Sequence, residues 1–160
     1  MTFPALNKNA IYAYLEEIKD PEVPVLSIMD LGIVRDVVLH EDNEVEVIIT
    51  PTYNGCPAMD MIAASIRIML STLGIKKFKV TQALSPAWTT DWMSEEGKRK
   101  LKEYGIAAPD KRFAIARDGV ECPLCNSTNT TLLSEFGSTA CKALYQCNEC
   151  KEPFDYFKCH

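Results

Sequence analysis

Two cysteine pairs, CPLC at 122–125 and CNEC at 147–150, stand 21 residues apart, and nothing else in the sequence restricts the fold so strongly. Two ligands three positions apart on a tight turn can face one metal ion, and two such knuckles make the tetrahedral sulfur site that zinc favours. A segment of roughly forty residues buries too little surface to fold alone, so the metal would supply folding free energy directly. The spacing predicts a zinc ribbon over residues 119–160, with Cys122, Cys125, Cys147 and Cys150 as ligands. Rubredoxin-like iron is the alternative, because sulfur-only tetrahedral sites accept either metal. Cys141 and Cys159 are surplus: each reads as packing, a replacement ligand or a second-site ligand. His160, beside Cys159, reads as part of a loose chain end rather than a ligand.

The charge pattern narrows what such a ribbon could bind. From Val120 to His160 there are three lysines, no arginine and five acidic residues, and the whole chain carries −5. Nucleic acid is therefore not an expected partner. The ribbon is expected to stiffen the tail or dock onto a protein, with the aromatics of YQCNECKEPFDYF as the exposed contacts. Seven cysteines is an odd number, and MTFPALNKNAIYAYLEE has no basic start followed by an apolar block. Metal ligands or reactive thiols, in the cytoplasm, are expected rather than a disulfide framework. No apolar run is long enough to suggest a membrane span.

Ahead of the cysteine-rich tail, 47% apolar and 24% charged residues suffice for a core. Ile11, Tyr14, Leu15 and Ile18 recur at helical spacing and predict a helix over 7–19, ended by Asp20-Pro21. DPEVPVLSIMDLG reads as a turn-rich connector. Ile33–His40 and Val45–Thr50 read as strands joined by the turn EDNE. Residues 58–73 predict a mostly buried helix, KKFKVTQAL a strand with Phe78, Val80 and Leu84 on one face, and TDWMSEEGKRKLKEYG a polar helix stopped by Gly105. The order helix-strand-strand-helix-strand-helix describes an α/β (α+β) unit. The domain boundary is expected near residue 118, giving domains 1–118 and 119–160.

The loop PTYNGCP holds the remaining cysteine. Pro57 suits a first helical position, which would put Cys56 at the N-cap, facing unpaired backbone N–H groups. The helix dipole there would lower the thiol pKa by about one unit at most, with Asp60 opposing. No histidine is near in sequence, so a protease-style nucleophile is not expected. A metal or cluster ligand, a sulfur-exchange site and a small buried apolar residue all remain open.

DPEVPVLSIMDLGIVRDV followed by TPTYNGCPAM resembles the small domain of bacterial SufT and of eukaryotic cytosolic iron–sulfur assembly factors. SPAWTTDWMSEEGKRKLKEYGIAAP with the cysteine-rich tail is similar to the PaaD family (PaaJ in some naming) of bacterial phenylacetate degradation. The resemblance implies a SufT-like metal–sulfur assembly domain followed by a zinc ribbon. It implies that Cys56, in the Gly-Cys-Pro motif, is the functional thiol for transient iron or an iron–sulfur cluster, with Asp20, Glu22 and Asp30 in support or acting only as turn and cap residues. The implied partners are the oxygenase and reductase subunits of phenylacetyl-CoA epoxidase. The chain itself has neither the Glu-x-x-His pairs of a di-iron site nor a dinucleotide fingerprint, so no catalytic activity of its own is expected. Because a cluster takes four ligands, stable holding would require a homodimer, a partner, or Cys141 or Cys159. A structural or docking subunit of the epoxidase is the second reading, and a thiol enzyme acting on a CoA thioester the third.

Overall fold

The computed structural model describes residues 7–53, 55–109 and 119–157. The architecture is mixed α and β, with two sheets in two units. One unit runs through Trp88 and takes in Trp92–Ser94; the other comprises Thr89–Asp91 and the chain from Glu95 onward. The chain thus divides earlier than the boundary near 118 that composition suggests, and 110–118 itself lies outside the described residues.

In the first unit, α1 (Lys8–Leu15) is capped by Asn7, whose side chain accepts the Ala10 N–H, and it buries Ile11 and Leu15. The helix ends short of the expected residue 19. Beyond Glu16 the N–H groups of Glu17 and Ile18 bond three residues back, and Lys19 then bridges Ser27. Strand β1 (Val34–Leu39) pairs antiparallel with β2 (Val45–Ile49), and β2 pairs parallel with β3 (Phe78–Gln82). The connection from β2 to β3 is α2 (Ala58–Thr72), as a parallel pair requires.

Val37, Val45, Val47 and Ile49 of the sheet are fully buried with Ile66 and Leu70 of α2. The connector contributes as much: Leu26, Ile28, Leu31 and Ile33 are each no more than 1% exposed. Hydrogen bonds hold it there, from Ile28 N–H to Ile18 O, Thr50 N–H to Ile33 O, and the buried Trp88 Nε1 to Leu31 O. A segment rich in turns is therefore a core element. Helix α2 is less buried than expected, because Met61 and Ile68 face solvent at 61% and 67% exposure. Leu84 falls beyond β3 and is exposed, so it does not share the half-buried face of Phe78 and Val80.

In the second unit, α3 (Glu95–Glu103) carries acidic residues in its first turn and lysines in its last, which suits the helix dipole. Gly105, at φ +86, ends it in the left-handed region. The sheet runs in the order β4 (Ile106–Ala107), β7 (Pro153–Phe157), β6 (Lys142–Cys147), β5 (Thr130–Ser134). Its β4–β7 pairing is parallel and the others antiparallel. Because Ile106–Ala107 joins β7, and α3 packs against β4, this stretch belongs with the ribbon and not with the preceding domain.

Tyr145, Phe154 and Tyr156 form the ribbon core beside Cys122 and Cys147. Tyr145 stacks on Phe154 at 5.8 Å and meets Tyr156 edge-on at 5.7 Å. These aromatics, expected on the surface, point inward and supply most of the bulk of the ribbon core. Leu124, Leu133 and Phe136 are the exposed ones instead.

Candidate functional site

The two knuckles are near copies of each other. In the first, Cys122 N–H bonds Ser127 O at 2.8 Å and Asn126 takes φ +64. In the second, Cys147 N–H bonds Glu152 O at 3.0 Å and Lys151 takes φ +69. Each turn therefore closes over six residues, with a left-handed residue just after its second cysteine. Asparagine tolerates that conformation, whereas lysine does not favour it. Backbone N–H groups of Ser127, Cys150 and Glu152 reach the sulfurs of Cys125, Cys147 and Cys150, respectively. Such bonds favour thiolates: the Cys147 thiol, which accepts the Cys150 N–H, is drawn down to about 7, whereas the Cys125 and Cys150 thiols are raised against their neighbouring sulfurs.

All four sulfurs lie within 4.8 Å of one another, with Cys122–Cys150 at 3.8 Å and Cys125–Cys147 at 3.5 Å. A tetrahedral zinc ion at about 2.3 Å from each sulfur would need sulfur–sulfur edges of about 3.8 Å. The donor set fits a structural zinc ion. Asn148 ties the knuckles together: its N–H bonds Asn129 O and its Nδ2 bonds Asn129 Oδ1, both at 2.9 Å. Cys141 stands apart from this set, buried, with its sulfur 3.0 Å from Thr139 Oγ1. Cys159 and His160 lie outside the described residues.

Cys56 lies in the loop from β2 to α2, half-buried. Gly55, at φ +77, turns the chain into it. Pro57 is the cap residue and the helix starts at Ala58, one position later than expected. The Ala58 N–H nevertheless reaches the Cys56 sulfur, as does the Tyr53 side chain. Burial is the largest influence and, together with the charges of Glu22 and Asp20, pushes the thiol up despite both contacts. The lowering expected from the helix dipole is thus reversed, because desolvating a thiolate beside two carboxylates costs more than two hydrogen bonds return. At neutral pH Cys56 is a protonated thiol.

The connector borders this loop, since Glu22 and Asp20 both act on the sulfur. Asp20 and Asp30 also hold the connector's own turns. Asp20 Oδ1 accepts the N–H groups of Glu22 and Val23, both at 2.8 Å. Asp30 accepts the Ser27 N–H and the Ser94 hydroxyl, both at 3.1 Å. Sequence reasoning missed Tyr53, the Asn129–Asn148 tie and the left-handed positions after each knuckle. Of these, Asn126 was open to detection from its residue type alone.

Two family models match this chain: an iron–sulfur cluster assembly protein over residues 8–83 and a PaaD zinc beta ribbon domain over 107–158. A protein of Escherichia coli (strain K12), provisionally named as one of the components of 1,2-phenylacetyl-CoA epoxidase, is 51% identical over 93% of this chain and 91% of its own. An Fe-S protein maturation auxiliary factor of Porphyromonas gingivalis is 36% identical over 57% of this chain and 87% of its own. A solved domain of unknown function (DUF59) from Bacillus anthracis, 33% identical, matches 59% of this chain and 90% of its own with a TM-score of 0.55. Among the described residues no helix is long and apolar enough to cross a membrane. An assembly-type α+β unit carrying one half-buried thiol, joined to a four-cysteine ribbon, places the chain in the PaaD family.

Proposed function

We propose that this chain is an accessory maturation factor of a phenylacetyl-CoA epoxidase system, and that Cys56 takes iron or an iron–sulfur unit as cargo for one of that system's metal centres. The observation that carries the reading is Cys56 itself: a half-buried, protonated thiol in the field of two carboxylates, inside the segment matched by the iron–sulfur assembly family. A protonated thiol resists alkylation and oxidation while it waits, because the thiolate is the nucleophile. When an iron ion arrives, the Fe–S bond forms as the S–H bond breaks and its proton passes to solvent at this half-buried sulfur. Glu22 and Asp20 favour the approach of a cation and make the sulfur a poor host for any anion. Among the described residues no group of three or more potential ligands includes this thiol, so it would hold the cargo loosely, which suits transfer better than storage. A zinc ion held by all four ribbon cysteines would have no open position, as in structural zinc sites, and so would supply stability rather than take part in that exchange.

The second reading is a subunit that stays bound to the epoxidase and handles no metal. It draws support from the exposed Leu124, Leu133 and Phe136 on the ribbon, which offer apolar contacts. Co-expression separates the two. The oxygenase and reductase components are purified after co-expression with the native chain, with Cys56→Ala, or alone, and assayed for iron and for activity. The maturation reading expects one component to lose iron and activity equally in the last two samples. Full iron in all three would leave only the docking subunit.

A further inference from the structure

Because β2 and β3 run parallel, their carboxyl ends share one edge of the sheet, and the Cys56 loop leaves from that edge. The exit from β3 is fastened there: Ala83 N–H bonds Ile49 O, and Thr50 Oγ1 bonds Ala83 O, both at 2.8 Å. Helix α2 starts at the same edge, immediately after Cys56. Two large apolar side chains at this edge face solvent, Met61 at 61% and Leu84 at 65% exposure. Ile68, seven residues after Met61, continues the exposed helix face. Pro57 and Pro86 are also exposed here, and their fixed φ limits the backbone freedom this edge can lose on binding.

The charge on this rim selects the occupant. Glu22 and the buried Asp20 act on the Cys56 sulfur, and Asp60 stands exposed on the first turn of α2, with the one exposed cation of that helix, Arg67, two turns further on. A second copy of this chain docking through the same edge would set these carboxylates against their own counterparts, and each copy carries −5 overall. A partner with lysine or arginine beside an apolar contact meets no such repulsion.

We propose that the apolar rim formed by Met61 and Leu84 at the Cys56 edge is the docking surface for a client polypeptide that presents an apolar side chain flanked by lysine or arginine. The inference rests on the cargo role of Cys56 and adds how the recipient finds it. Apolar contact supplies the affinity, and the opposite charges orient the client's acceptor residues toward the thiol.

The test uses the full chain with a photo-cross-linking side chain in place of Met61 or Leu84, and the purified oxygenase and reductase components as probes. The expected result is a cross-link to one component, within a peptide carrying lysine or arginine, that fades as salt is raised. Met61→Glu and Leu84→Glu should each weaken binding of that component about tenfold, the scale of losing one apolar anchor. Leu39→Glu, at the far end of β1 and 41% exposed, should leave binding unchanged. All three side chains are on the surface, so a thermal melt verifies that the variants remain folded. Cross-links only to a second copy, no cross-link at all, or an equal loss in Leu39→Glu would each overturn the proposal. If Cys56→Ala spoils iron loading while Met61→Glu and Leu84→Glu bind normally, the docking surface alone is wrong. If those two lose binding while Cys56→Ala loads iron fully, the cargo role alone is wrong.

Discussion

Cys125 gives the cleanest way to separate metal binding from packing in the ribbon. Its sulfur is one of four within 4.8 Å of each other, yet the residue is exposed, whereas Cys122 and Cys147 are fully buried core members. Replacing Cys125 with serine therefore removes a ligand and almost no buried surface. Structural zinc in small four-ligand domains binds with an apparent free energy of about 10–16 kcal/mol at pH 7. Shared equally, one ligand accounts for about 2.5–4 kcal/mol of that, or a roughly 100- to 1000-fold loss in affinity at 1.4 kcal/mol per decade. A competition titration against a chromophoric chelator would read this directly. Thermal melts with and without chelator would show whether the ribbon unfolds apart from the first unit. Cys141→Ala is the matched control: it removes a buried sulfur outside the cluster, so it should lower stability while keeping one zinc per chain. Native zinc affinity in Cys125→Ser would refute the four-sulfur site. So would loss of zinc in a folded Cys141→Ala.

Because burial raises the Cys56 thiol, its alkylation should be slow at neutral pH and rise through a midpoint above that of an ordinary cysteine. Glu22→Gln should move that midpoint down, as followed by mass spectrometry across a pH series. A thiol raised in the folded state stabilises the fold below the unfolded pKa and loses that contribution as pH climbs through the folded value, so Cys56→Ala should flatten the alkaline end of the stability profile. Tyr145→Ala should cost about 3–5 kcal/mol in denaturant titrations, because it empties the stacked ribbon core, while Phe136→Ala should cost little. Gly32→Ala should cost about 2–5 kcal/mol, from left-handed strain and overpacking together. Its φ is +70 and a Cβ there would fall 2.4 Å from the Trp92 carbonyl oxygen, so equal stability by the same titration would show that this turn relaxes freely.

Much of the fold was legible along the chain because its signals are local. The alternation of Val45–Ile49, the helical spacing of Ile11 and Leu15, and Gly105 after a polar helix each depend on neighbours a few residues away. Where local signals misled, the deciding partner was remote. The connector 20–33 looks like turns because its prolines and aspartates are turn formers. Its burial comes from sheet and helix residues up to sixty positions on, as the Trp88 bond to Leu31 shows. Helix α2 looked buried on all sides because composition cannot say that Met61 and Ile68 face away from the sheet. Residues 95–107 read as the end of the first domain until their strand partner, Asp155–Tyr156, is seen some fifty positions later.

The same division holds at the two cysteine systems. The zinc ligands were set by sequence alone, since a C-x2-C knuckle places its pair by local turn geometry and the second knuckle has only to be brought close. The chemistry of Cys56 was not. A glycine before it and a proline after it predict a helix start and an activated thiol, and both local features are present. What reverses the outcome is the environment: half-burial under the folded loop and the fields of Glu22 and Asp20, more than thirty residues upstream. Ionisation depends on everything packed around a group rather than on its neighbours in sequence. The chain's sequence determined which sulfurs could share a metal; the tertiary structure decided that the Cys56 thiol stays protonated.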